Sequence, residues 1–116
     1  QKGPASAEID NLNNGTKVIN LDSKLNDFTD TAAAISNLDL VISVDTSVAH
    51  LAGAIGKPVW LLLSFVPDWR WLIERNDSPW YPNIRLFRQT QMYDWNDVLV
   101  QLTESLSKLM LSRANL

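Results

Sequence analysis

Residues 39–63 read DLVISVDTSVAHLAGAIGKPVWLLL. Leu40-Val41-Ile42-Ser43-Val44 is almost continuously apolar, the pattern of a parallel strand covered on both faces. Asp45-Thr46-Ser47 interrupts it. A helix is then expected from about Ser47 to Ile55, with Val48, Leu51, Ala52 and Ile55 on one face. Gly53 and Ala54 are small enough to let a sheet come close. Gly56 fits the left-handed position that ends a helix, and Pro58 prevents its continuation. Val59 to Leu63 is a second buried strand. Strand, short helix, strand is a βαβ unit, so the two strands should be parallel and the crossover right-handed.

Outward from this unit the signals thin. Toward the amino end, Asp27 can cap a helix over about Phe28 to Asn37, with Asp30 in its first turn. Ala32, Ile35 and Leu38 would face inward. Val18 to Leu21 follows Asn14-Gly15 and is a short strand candidate. Ala5 to Leu12 could hold a short helix. Toward the carboxyl end, residues 64–83 carry Trp69, Trp71, Trp80 and Tyr81, punctuated by Pro67, Pro79 and Pro82. Trp69 to Arg75 is expected to make a helical turn or two, and loops this long in compact domains usually serve a function. Ile84 to Phe87 is a further strand. The last helix is capped by Asp94 and carries Trp95, Val98, Leu99, Leu102, Leu106, Leu109 and Met110 at helical spacing. Together these elements predict a Rossmann-like, doubly wound α/β domain with a parallel sheet of about four strands.

Composition narrows the function. The chain has 116 residues, 46% of them hydrophobic, which is one domain's worth of core. A net charge of −3 with scattered Lys and Arg gives no footprint for a nucleic acid. The absence of cysteine excludes disulfides and thiolate metal sites, and suits a cytoplasmic setting. No apolar run reaches the roughly 20 residues that span a bilayer. The chain opens on Gln1-Lys2-Gly3-Pro4, without an initiator Met. It reads as an excised domain, 1–116, whose active site is shared with segments outside it.

In open parallel sheets, ligands bind beyond the carboxyl ends of the strands. Asp45, Thr46 and Ser47 occupy that edge and also begin a helix. The first N–H groups of a helix lack intrahelical partners, and the dipole is positive there. This is an anion site in the making, suited to a phosphate or diphosphate. Thr46 and Ser47 add hydroxyl donors, and His50 falls on the same side of the helix. Asp45 would be repelled by phosphate and is better placed to accept hydrogen bonds from sugar hydroxyls. Asp, Thr and Ser are also ordinary caps, and a lone His among small residues is often only a buried imidazole. Spacing alone leaves both readings open. Asp45 and Ser64 after successive strands also allow a phosphoacceptor aspartate, as in response regulators. That site needs an early acidic pair and a late lysine, and this chain has Arg85-Leu86-Phe87-Arg88-Gln89 instead.

The stretch DLVISVDTSVAHLAGAIGKPVWLLL resembles the nucleotide-sugar-binding domain of GT-B glycosyltransferases of family 9, the heptosyltransferase group. Together with PDWRWL, DSPWYP and RLFRQ it is most similar to bacterial proteins in which tetratricopeptide repeats precede such a domain. The resemblance implies the carboxyl-terminal half of a GT-B fold. Two strands, a helix and a whole amino-terminal domain bearing the general base would then lie before Gln1. It implies that the backbone at Thr46, Ser47 and Val48 holds the donor diphosphate, that His50 backs it, and that Asp45 meets the transferred sugar. Ser47 stands where the family often has glycine. Asp68, Trp69 and Arg70 could wall the donor or acceptor, or Asp68 and Arg70 could simply pair with each other. Lys2 and Arg88 are candidates for phosphate or base.

The reading is thus the donor-binding part of an inverting glycosyltransferase that needs no metal or cofactor, with a nucleotide-sugar as substrate. The partners it implies are the amino-terminal domain and the repeats. Alone, the chain should be catalytically silent. Two rivals remain: a binding or scaffold module that has lost turnover, and a sugar-nucleotide epimerase, which would need no acceptor.

Overall fold

The computed structural model describes residues 18–115. The expected helix at 5–12 and the candidate Lys2 lie outside them. The chain divides between Leu38 and Asp39 into two compact units. In the first, a single 3-10 turn at Asp22–Lys24 precedes helix α1, Phe28–Ser36. Asp27 caps α1 as expected, accepting from the Asp30 N–H at 2.9 Å, while the Asp30 carboxylate accepts from the Asn26 N–H at 3.0 Å. Ile35 is buried, Ala32 half-buried and Leu38 exposed. The strand expected at 18–21 does not form. The Asn20 side chain instead accepts from the Asp22 N–H at 3.0 Å, a local bond that turns the backbone and competes with extended pairing.

The second unit holds β1 (Val41–Val44), α2 (Ser47–Ile55), β2 (Val59–Leu63), β3 (Ile84–Arg88) and α3 (Asn96–Ala114). The strands form a parallel sheet in the order β1-β2-β3, with Val41 opposite Val59 and Val59 opposite Ile84. The fold is therefore the expected α/β class, with three strands among the described residues rather than about four. The β1-α2-β2 unit at its centre lies where the sequence puts it.

Strand alternation sorts the side chains onto two faces. Val41, Val59, Leu61, Leu63, Ile84 and Leu86 are buried on one. The other carries Trp60, Leu62 and Phe87, with the Arg85 guanidinium lying over Trp60 and Phe87. Full cover of both faces was expected for β1, but Ile42 and Val44 are 41% and 49% exposed. Helix α2 packs on β1 and β2. Its buried side is Ala49, Ala52 and Gly53, while Ile55, expected inward, is exposed. The helix sits so low on its neighbours that only the smallest residues fit beneath it. Gly53 is approached by the Tyr81 ring and by Ile84, so its role includes admitting a loop as well as a strand.

Gly56 ends α2 at φ 88°, with its N–H bonded to Gly53 O and that of Lys57 to Ala52 O. These two hydrogen bonds satisfy carbonyls at the end of the helix. At α3 the cap falls on Trp95, one residue later than expected, and Asp94 accepts from the Asn96 N–H at 2.9 Å. Helix α3 packs on β3 and buries Val98 completely, but Leu99 and Met110 are exposed. Nineteen helical residues extend about 28 Å, whereas a five-residue strand extends about 17 Å. The helix overruns β3, and near its end Arg113 pairs with Asp39, just before β1, at 3.2 Å.

Candidate functional site

The turn from β1 into α2 lies at the carboxyl edge of the sheet. Thr46 caps α2 in an extended conformation, φ −141° and ψ 170°, and its side chain makes no capping bond. Its hydroxyl lies 3.4 Å from that of Ser43. The first helical bond runs from the Ala49 N–H to Thr46 O at 3.1 Å. The N–H groups of Ser47 and Val48 therefore precede the ladder and lie at the positive end of the helix. Ser47 is exposed there, so the turn is open to solvent.

The structure joins Asp45 and His50 into one cluster. Asp45 Oδ1 lies 3.6 Å from His50 Nε2, and 34% of each side chain remains exposed. Asp45 Oδ2 accepts from the Trp71 indole N–H at 2.9 Å. His50 Nδ1 lies 3.3 Å from the Tyr81 hydroxyl. The imidazole stacks on Trp71, centroids 5.3 Å apart, and meets Tyr81 edge-on. Trp71 is fully buried. Sequence reasoning grouped Asp45 with His50 but missed Trp71 and Tyr81 as their partners. The signal was the Ser78-Pro79-Trp80-Tyr81-Pro82 run, which reads as a rigid element, together with Gly53, whose missing side chain makes room for the Tyr81 ring.

Residues 64–83 form the wall beside this cluster. Trp69–Trp71 is one 3-10 turn, shorter than the turn or two expected over 69–75. Asp68 caps it, accepting from the Arg70 N–H at 3.0 Å and from the Arg70 guanidinium at 2.9 Å. The two residues thus pair with each other, and Arg70 also lies over the Trp69 ring, 5.3 Å from its centroid. The Asp68 carboxyl is held below its ordinary range, chiefly by the Arg70 N–H; desolvation works against this and the guanidinium charge adds to it. Arg88 is engaged by the aromatic loop. Its guanidinium donates to Arg75 O at 2.9 Å and to Trp71 O, and burial lowers its pKa. The loop backbone is left-handed at Leu72 and Glu74, φ 56° and 62°, a strained arrangement that these ties hold in place. Among the described residues, no three His, Asp or Glu side chains gather as a metal site, and no helix is long and apolar enough to cross a membrane.

Comparison with known proteins places the chain in a family. The profile of glycosyltransferase family 9 (heptosyltransferase) matches residues 2–64, more than half of the chain, through β1, α2 and β2. Protein FlbA of Caulobacter vibrioides is 32% identical over 80 residues, which are 69% of this chain and 13% of that protein. The chain therefore spans a small part of the curated relative it matches. No solved structure gives a significant match. A βαβ unit carrying Asp-Thr-Ser at the strand end, inside a profile match of this extent, assigns the chain to glycosyltransferase family 9.

Proposed function

We propose that this chain is the donor-binding part of a glycosyltransferase, and that the turn at Thr46–Val48 receives the diphosphate of a nucleotide-sugar. One observation carries the reading. Two helix N–H groups, of Ser47 and Val48, precede the hydrogen-bond ladder at the carboxyl edge of a parallel strand, in a chain of this family. Asp45 and His50 stand beside that turn, where a carboxylate can accept from sugar hydroxyls and an imidazole can donate to phosphate.

The reaction would be attack of an acceptor hydroxyl on the anomeric carbon. The nucleoside diphosphate leaves with the bonding electron pair, and the fixed N–H donors stabilise the charge that grows on it. The acceptor's proton needs a base. Asp45 is held by Trp71 and faces His50, so it is poorly placed to serve. The base would then come from another part of the protein. The same observation favours a second reading, a nucleotide-binding module without turnover, of the kind fused to tetratricopeptide repeats. Sugar transfer or hydrolysis by the intact protein separates the two.

The binding step is tested by Ser47→Glu. An acid in the first turn of a helix stabilises it by about 0.3–1 kcal/mol, so the variant should melt no lower than the parent. The same charge opposes a diphosphate. Calorimetry on the intact protein with UDP, ADP and GDP should show affinity for the preferred nucleotide reduced at least about tenfold. Undiminished affinity would refute the site.

A further inference from the structure

Beside His50 opens a cleft of about 250 Å³, lined by His50, Trp69, Arg70, Trp71, Trp80 and Tyr81. We propose that this cleft seats the transferred sugar ring of the donor, with Trp69 and Trp80 as stacking faces; this rests on the diphosphate reading of the α2 turn.

The first argument is the exposure of the indoles. Trp69 and Trp80 are 70% and 59% exposed, although tryptophan is a residue that folding usually covers. Both are nonetheless fixed. The Trp80 indole N–H donates to Arg70 O at 3.0 Å, and Trp69 lies under the Arg70 guanidinium, itself tied to Asp68. Trp71 is locked by Asp45. The wall is assembled before any ligand arrives, which lowers the entropic cost of binding.

The second argument is chemical match. A pyranose presents a face of C–H groups, which suits the negative face of an aromatic ring. Its edge carries hydroxyls, which need charged or polar partners. This cleft has aromatic faces and a polar margin of His50, Arg70 and the Tyr81 hydroxyl, with Asp45 adjoining His50. Its volume suits one six-membered ring and lies below the range usual for larger ligands.

The third argument is position. His50 lies three residues after Ser47, about 4.5 Å along the helix. In a nucleotide-sugar the sugar is bonded directly to the diphosphate, whereas the base is separated from it by a ribose. A cleft that begins one helical turn from the phosphate turn is at the sugar's distance.

The test compares each nucleoside diphosphate with its sugar conjugate in the intact protein. The probes are UDP, ADP and GDP against UDP-glucose, UDP-N-acetylglucosamine, ADP-glucose and GDP-mannose, measured by calorimetry. Trp69→Ala and Trp80→Ala should each weaken the best-bound conjugate about tenfold and leave its parent diphosphate within about twofold. Equal losses for diphosphate and conjugate would make the wall a base site and overturn the proposal. So would affinities that neither substitution alters. A parent protein that binds none of the diphosphates contradicts the anion turn itself, a failure distinct from these two.

Discussion

A methyl group added at Gly53 would lie 2.9 Å from Cγ of Tyr81 and 3.2 Å from Cδ1 of Ile84. Alanine is normally better than glycine inside a helix by about 1 kcal/mol. Here the added carbon meets the root of an aromatic ring, which cannot swing aside as a side-chain tip would. Overpacking of this kind costs about 1–3 kcal/mol, so it outweighs the propensity gain. Gly53→Ala is therefore expected to lower stability by about 1 kcal/mol in urea unfolding. In a Tyr81→Ala background the same change should be neutral or stabilising, as coupling between touching residues requires. If Gly53→Ala stabilises the parent chain, the Tyr81 ring does not rest on α2. The consequence for binding follows from the same contact, because Tyr81 seated on α2 brings its hydroxyl to His50.

At the scale of elements, the aromatic loop carries its own pH dependence. Asp68 has its carboxyl lowered by the Arg70 N–H first and by the guanidinium also, so the folded loop favours the ionised form. The contribution is present above the ordinary carboxylate range, near pH 3.9, and is lost as pH falls through the lowered value. Carbon-detected NMR should find Asp68 titrating below the ordinary aspartate range. Arg70→Ala should move it only part of the way back, because the backbone donor remains. A full return would make the guanidinium the main cause.

The elements also show how far sequence reaches. Asp27, Gly56 and the two apolar strands were legible because each acts through local chemistry: a side-chain acceptor, a left-handed backbone, a short continuous apolar run. The face of α2 was not. Val48 and Ile55 look like core by hydropathy, but the closeness of the packing selected Ala49, Ala52 and Gly53. The strand expected at 18–21 lost to a bond two residues long at Asn20. Within the candidate site, His50 could be grouped with the Asp45-Thr46-Ser47 turn because it lies four residues after Thr46 and three after Ser47. Trp71 lies 26 residues from Asp45, and Tyr81 31 residues from His50, and no periodicity reports contacts of that range.

At the scale of the whole molecule, the described residues cover the sheet unevenly. Parallel sheets are usually buried on both faces, yet Ile42 and Val44 share a face of β1 and remain largely open to water. Among the described residues, strand β1 has a partner strand on one side only, β2. An apolar face beside an open edge favours association with a second surface. Sedimentation of the isolated chain should show concentration-dependent self-association. Ile42→Lys combined with Val44→Lys should suppress it while leaving the chain folded, since both side chains are about half exposed. Self-association that survives both substitutions would direct attention to another face.

Arg88 closes β3 and reaches back to the carbonyls of Trp71 and Arg75. The aromatic wall is thus tied to the far margin of the sheet by this guanidinium, and the Leu86 N–H adds a bond to Asn76 O at 2.8 Å. Its shape therefore depends on where the third strand lies. The conformation of the loop is accordingly set in part by a residue that lies outside it.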